Sequence, residues 1–556
     1  MLKTCLLTAA LLAASQPAFA QQPPRAGQQL QQIPPAPATP KSTPPIRIEP
    51  STAADEPTAG GATVQVNSLR VTGAALFPEA ELVAAAGVPT GSELTLSQLR
   101  QAAGRVGAYY TARGYLLAQA YVPAQDVRGG EVTIAVVEGR YGRIEVRNPS
   151  GLANGRAAGL LSGLDAGDPV THAPLERRLL LLSDIPGVRV RSTLVPGAAV
   201  GTSDLILDVD ATRRVTGSLE ADNAGNRYTG AHRAGGAINL NSPASFGDLL
   251  SVRLLASGEG LAYGRAAYQV PAGAGAVGVA YTHLRYQLGR EFKSLDAEGG
   301  ADIASVFGSY PLVRSRDSNL HGLAGVDVKQ LEDSIGIVSS MSEKQVEVAT
   351  LGFSGDSRDG LGSGAWNEYS AGLSVGVLDI QSPIERAADA LTSRSDGDFS
   401  KLSGSVARLQ SLGGPLSLYA LLRGQIAFDN LDTSEKIGLG GAYGVRAYPE
   451  GEAYGDQGYV ATLEARLLVS RWARTLPGEL QLIGFLDAGE VDYAANPWSS
   501  GSNSAHRSGF GAGFAWAGPH DLIFKASYAR KLTDAEATSG PDEDGRAWFH
   551  ISRSIR

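Results

Sequence analysis

The sequence predicts two architectures in one chain: two small α+β modules near the N-terminus, then an all-β antiparallel barrel of the outer-membrane type with about 16 strands. Three observations carry this reading. The chain opens on an export leader, Met1–Ala20. A strand, helix, helix, strand, strand order occurs twice between Val64 and Ala211. From Arg213 to Arg556 helical periodicity gives way to period-two alternation, broken by connections of unequal length.

In MLKTCLLTAALLAASQPAFA, Lys3 precedes an apolar run from Cys5 to Ala14, and the small residues Ala18 and Ala20 flank Phe19, as in a secretory signal peptide. The run falls short of the ~20 residues a spanning helix needs. Cys5 is the only cysteine, so a chain cleaved after Ala20 has none; disulfides, thiolate chemistry and cysteine-metal sites are excluded. A net charge of −8, or −9 once Lys3 is removed, argues against nucleic acid as a partner. No later segment approaches ~18 continuous apolar residues, which excludes ordinary transmembrane helices.

Residues 21–62 are rich in proline and predict an extended tether, with one helix-like piece, Arg25 to Ile33, too short to be stable alone. The first module, residues 63–139, begins with TVQVNSLRV, which alternates like a half-buried strand. Pro78 opens and Gly87 closes a first helix. A second runs from Thr95 to Arg113, with Thr95 and Gln98 placed as a capping box and Gly114 ending the last turn. Its apolar face, Leu96, Leu99, Ala103, Val106 and Tyr110, needs a sheet, supplied by GYLLAQAYVP and EVTIAVVEG. The second module, residues 140–211, repeats the order through GRIEVRN, APLERRLLLLSDIPGV, VRSTLVPG and SDLILDVDA, with Leu175, Leu179 and Leu182 as core.

In the remainder, residues 212–556, PLSLYALLRGQIAF sets Leu416, Leu418, Ala420, Leu422, Gly424, Ile426 and Phe428 on one face and Ser417, Tyr419, Arg423 and Gln425 on the other. GYVATLEARLLV likewise separates Tyr459, Ala461, Leu463, Ala465 and Leu467 from Thr462, Glu464 and Arg466. A soluble sandwich shares this alternation. The leader, the persistence of the pattern to the last residues, and tight turns set against long polar loops favour the barrel. At roughly 10 residues per strand and as many per average connection, the segment makes about 16 strands.

AYYTARGYLLAQAYVPAQDVRGGEVTIAVVEGR resembles the first polypeptide-transport-associated (POTRA) domain of two-partner secretion transporters, the ShlB/FhaC/HecB haemolysin secretion and activation family. APLERRLLLLSDIPGVRV with LVPGAAVGTSDLILDV is similar to that family's second POTRA domain. GSLEADNAGNRYTGAHRAGGAINLNSPASFGDLL is similar to its opening barrel strands, and the match continues through LRYQLGREFKSLDAEGGADIASVFGSYPLVRSRDSNL. The resemblance implies a sixteen-stranded barrel in the outer membrane, with periplasmic modules that bind a large secreted exoprotein, partly by adding it as a strand to a sheet edge. It implies no enzyme activity and no cofactor. In some relatives a short N-terminal helix plugs the pore; whether Arg25 to Ile33 does so stays open.

The family also places a long loop inside the lumen, with a tip often written VRGY. Here the tip is Val445, Arg446, Ala447 and Tyr448, followed by Glu450, Gly451, Glu452, Gly455 and Asp456 in PEGEAYGD. Alanine in place of glycine at 447 argues against a positive φ there. In ELQLIGFLDAGEV, Leu480, Leu482, Leu486 and Ala488 share the lipid-facing parity, so Phe485, Asp487 and Gly489 point inward. By resemblance, Arg446 pairs with Asp487 as a lock on the loop.

Two further patterns point elsewhere. Gly372 to Gly376 matches the G-x-S-x-G hydrolase pattern around Ser374, but within a strand-like run with no helix behind it. The seven histidines form no metal-binding array, and no phosphate-binding loop of the ATPases is present. RAWFHISRSIR reads as the closing strand, although barrels commonly end in the phenylalanine that the barrel-assembly machinery recognises and this chain ends in Arg556. A barrel insertase of the same superfamily and a passive porin are the alternatives; insertases carry more modules and porins carry none of this kind.

Overall fold

The computed structural model describes residues 23–34, 44–48, 63–469 and 477–555. The expected leader, Met1–Ala20, and Arg556 lie outside them. In the first module the expected opening strand is two strands. Thr63–Val66 pairs antiparallel with Ser92–Thr95, and Ser68–Thr72 runs parallel to Glu131–Val137 in another sheet. Asn67 makes the break: its backbone N–H donates to Gly130 O (2.8 Å) and its side-chain amide to Gly129 O (3.0 Å), so the turn between later strands pins the corner. The helices Glu79–Ala86 and Leu96–Ala112 carry the expected caps, Gly87 at φ 60° and the reciprocal Thr95–Gln98 bonds. Ala103, Val106 and Tyr110 pack in the core with Ile134 and Val136, and Leu99 is buried beside them with Val66 and Val132. Leu96 departs from the predicted face and is exposed, because at 100° per residue it stands at the margin of that stripe.

The second module runs from Arg140–Arg147 through helices Asn154–Leu160 and His172–Ser183 to the hairpin Val188–Pro196 and Thr202–Ala211. Leu175, Leu179 and Leu182 are buried as expected. The module is fastened to the barrel by Arg314, which donates to both Asp184 oxygens (2.7 and 2.8 Å), and by Arg177, which donates to Leu312 O (3.1 Å). That fixes the module end of the barrel.

Sixteen antiparallel strands close the barrel, from Val215–Asp222 to Gly545–Ile555. The seam pairs Gly217 with Ile555 and continues to Asp222 with His550. Leu418, Leu422, Ile426, Leu463, Leu482 and Leu486 are exposed on the outer wall, whereas Asp487, Phe485 and Glu464 are buried inside. Alternation survives because one wall face meets hydrocarbon and the other meets the lumen. Strand Leu416–Ala427 pairs directly with Gln457–Leu468, so residues 428–456 leave the wall.

The proline-rich segment is more than a tether. Ile46–Ile48 adds as a parallel edge strand to Val188–Pro196. Ala26–Gln31 is a helix inside the barrel, held by Asp333, which accepts from Ala26 N–H (2.8 Å), and by Arg233 and Arg253, which donate to Gln32 O (2.8 Å) and Pro34 O (2.6 Å). A helix of six residues cannot sustain itself in water. Wall contacts supply what its sequence lacks.

Candidate functional site

Glycine-rich and polar, residues 440–456 hold one shape because the loop binds itself at its base and the wall at its tip. Ile437–Gly438 pairs with Tyr454–Gly455, and Val445 N–H donates to Leu439 O (2.7 Å). Val445, Ala447 and Tyr448 are all buried, clustered with Phe485 and Ala529 of the wall.

Between Val445 and Ala447 the Arg446 side chain reaches the inner wall. Its Nε donates to Asp487 Oδ2 (2.8 Å), Nη2 to Asp487 Oδ1 (2.8 Å) and Nη1 to Glu464 Oε1 (2.9 Å). The backbone N–H of Arg446 adds a bond to Asp487 Oδ2 (3.2 Å), and Thr462 Oγ1 donates to Asp487 Oδ1 (2.9 Å). The guanidinium lies 3.4 Å from the centre of the Phe485 ring, a close cation–π contact. Asp487 and Glu464 stand on adjacent strands, and Arg466 occupies the second oxygen of Glu464 (2.7 Å), so two cations meet two anions. Planar forks suit this arrangement, since lysine could not engage both oxygens of one carboxylate and a second carboxylate in one plane.

Sequence reasoning named Arg446, Asp487 and Phe485, and the structure brings them together. It missed Glu464 as a partner, although the inward parity of GYVATLEARLLV had already placed that residue on the lumen face. Gly489 serves by lacking a side chain, because a Cβ there would come within 3.0 Å of Leu439 in the loop. Ala447 keeps a negative-φ backbone, and its methyl fills the space over Gly509, where an added Cβ would sit 2.5 Å away. The lost tip glycine is thus matched by a glycine in the wall.

The rest of the motif holds the loop's far side. Glu450 packs over Gly441, Gly451 adopts φ 85° against Gln32 of the lumenal helix, and Gly455 abuts Asp492 of the wall. Asp456 accepts from Lys436 Nζ (2.5 Å), Leu431 N–H (3.2 Å) and Ala495 N–H (2.9 Å), joining the loop's start to the extracellular turn after Asp492. Glu452 faces Arg507 (2.6 Å). Tyr454 OH accepts from Gln32 Nε2 (3.0 Å), so loop and helix touch in the lumen. Ser374 sits within strand Ala365–Ile380 with its hydroxyl 2.9 Å from Thr350 Oγ1; the strand runs on for six residues, without the elbow that the hydrolase pattern requires.

The sequence matches the family described as haemolysin secretion/activation protein ShlB/FhaC/HecB over residues 201–515, and the ShlB-type POTRA domain over residues 64–139. The chain belongs to the haemolysin secretion/activation family. Family members are outer-membrane transporters, and this chain is one: a POTRA region followed by a closed barrel of sixteen strands. Among curated proteins it is 26% identical to the heme/hemopexin transporter protein HuxB of Haemophilus influenzae strain 86-028NP, over 80% of this chain and 79% of that one. It is 22% identical to the outer membrane transporter CdiB of Dickeya dadantii, over 71% of this chain and 70% of the other. Among solved structures, CdiB from Escherichia coli shares the fold with a TM-score of 0.67 at 19% identity, covering 91% of this chain and 93% of that chain. CdiB from Acinetobacter baumannii does so with a TM-score of 0.59 at 20% identity, covering 100% and 97%.

Proposed function

We propose that this transporter captures one large, unfolded, β-rich exoprotein in the periplasm through its two modules, threads it through the barrel and lets it fold outside. One observation carries the reading: the lumen is occupied by two segments that are not part of the wall. The helix Ala26–Gln31 lies in the lumen, and the guanidinium of Arg446 fixes the loop's tip to the inner wall. Neither belongs to the wall, so the helix can be withdrawn without breaking a strand pair of the barrel while the loop stays in place. In this reading the helix is a plug, Arg446 with Asp487 and Glu464 is the lock on the loop, and folding of the exported chain outside gives the passage direction. No nucleotide or other cofactor enters it. Outer-membrane lipid surrounds the wall, and the barrel-assembly machinery inserts it. The name HuxB specifies heme/hemopexin transport for that relative; the cargo here is assigned by class only.

The test compares the proteins in the culture medium of cells with and without this chain. A very large protein, encoded beside it, should vanish from the medium on deletion and return with the full chain but not with a chain lacking residues 64–210. A porin would show neither dependence. An unchanged set of secreted proteins, with altered content of other barrels in the membrane, would favour the insertase.

A further inference from the structure

We propose that Glu452 and Arg507 form a clasp that holds the last extracellular loop, residues 532–544, shut over the tip of the folded-in loop. The clasp deepens the transporter reading and rests on it only for what passes the mouth. Glu452 is fully buried and its two oxygens serve different parts of the protein. Oε1 accepts from Arg507 Nε (2.9 Å) and Nη2 (2.6 Å) on the wall strand Ser504–Ala517. Oε2 accepts from the backbone N–H groups of Thr538 (2.7 Å) and Ser539 (3.0 Å) in the last extracellular loop. The hydroxyls of both add bonds, Thr538 Oγ1 to Oε1 and Ser539 Oγ to Oε2, each at 3.1 Å. Arg507 Nη2 also reaches Glu536 O (3.2 Å).

A carboxylate is needed at this point because every neighbour is a donor. Glutamine keeps the shape but turns an amide NH₂ toward either a guanidinium or two N–H groups, and it strands the buried charge of Arg507. The hydroxyl of Tyr448 lies 3.1 Å from both Thr533 Oγ1 and Ala535 O, so the tip is tied to the same loop a second time. None of Arg446, Asp487 and Glu464 takes part. The tip therefore has two fastenings, one to the inner wall and one to the outer mouth, and a chain leaving the lumen beneath residues 532–544 has to open the second.

Single-cysteine labelling tests this in the full-length chain, because its only cysteine, Cys5, lies in the leader. The reporter is Ala537→Cys, whose side chain packs against the cluster of Val445, Ala447 and Tyr448. The probe is a membrane-impermeant maleimide added to whole cells, with heat-modifiable gel migration as the check that the barrel has assembled. Labelling should be severalfold faster with Glu452→Gln than with Glu452 present, since the opening equilibrium of a loop sets how often a half-buried group is fully exposed to reagent. Ala494→Cys, buried within the extracellular turn that follows Asp492, should stay slow in both backgrounds. Unchanged labelling at 537, or equal acceleration at 494, overturns the clasp. Should Glu452→Gln not assemble, Arg507→Lys carries the same test, because it keeps the charge and loses the fork. The measurement needs no exported client, so it can fail while export stands, and export can fail while it succeeds.

Discussion

At the scale of single residues, one cation fixes the tip of a loop of polar composition to the inner wall of a barrel. Arg446 does so with three side-chain bonds and a ring face, and its burial makes each partner hard to remove alone. Removing one member of a desolvated pair typically costs about 3–5 kcal/mol. Arg446→Lys is therefore expected to release the loop nearly as well as Arg446→Ala, measured as faster proteolysis within residues 440–456 in detergent. Glu464→Gln should give a partial effect, because Asp487 still grips two guanidinium nitrogens. The same bookkeeping limits an exchange of charges between 446 and 487: the new acid at 446 would face Glu464, so the double variant is expected to regain only part of the lost protection. A second residue-scale prediction concerns packing. Gly509→Ala would drive a methyl against that of Ala447 and cost about 1–3 kcal/mol. Combined with Ala447→Gly it should recover only part of its thermal midpoint, because the same Cβ also comes within 2.9 Å of Arg530 O; heat-modifiable migration measures this directly.

At the scale of elements, legibility followed how local the cause was. Helix Leu96–Ala112 was readable because its cap, its stripe and its terminating glycine lie in the helix or within two residues of its ends. The inward parity of Phe485 and Asp487 was equally plain, since a strand between lipid and lumen leaves alternation in its own residues. The break at Asn67 was not legible, because it is made by a turn more than sixty residues later. Nor were the edge strand Ile46–Ile48 and the buried helix Ala26–Gln31 readable as wall and module contacts, since what orders them belongs to distant strands. The site divides the same way. The pair of Arg446 with Asp487 came through family resemblance, whereas Glu464 and the role of Glu452 needed the fold to bring their partners near. In the second module Asp204 accepts from Arg143 N–H (2.7 Å) where the pairing of Arg140–Arg147 slips register. That bond, with the Arg143 side chain, holds its carboxyl below the usual carboxylate range. A folded-state value depressed in this way stabilises above the unfolded value and is lost as pH falls through the folded one. Acid unfolding of the module should therefore shift toward neutral independence on Asp204→Asn, seen as a flatter melting midpoint below about pH 4.

At the scale of the whole molecule, a closed wall of sixteen strands encloses a helix and a folded-in loop that are not part of it. Modules fastened at one end by Arg314 face the periplasm, and the folded-in loop and the last extracellular loop meet at the other. Labels on single cysteines at Leu418 and Leu482 should report acyl chains, and a label replacing Tyr419 should report a polar lumen; water at the first two positions would remove the barrel from the membrane. Shortening the chain by residues 23–34 should raise ion conductance in planar bilayers, because the helix then no longer occupies the lumen.

The central claim is that a loop held by Arg446 makes this barrel competent to export protein. The most direct measurement is the amount of the co-encoded exoprotein in the medium of cells carrying Arg446→Ala, with assembled barrel and intracellular exoprotein quantified alongside. The account predicts an assembled barrel, exoprotein retained in the cell and export reduced at least about tenfold, because removing one member of the desolvated pair costs about 3–5 kcal/mol and unlocks the loop. Full export from an assembled Arg446→Ala barrel would contradict it.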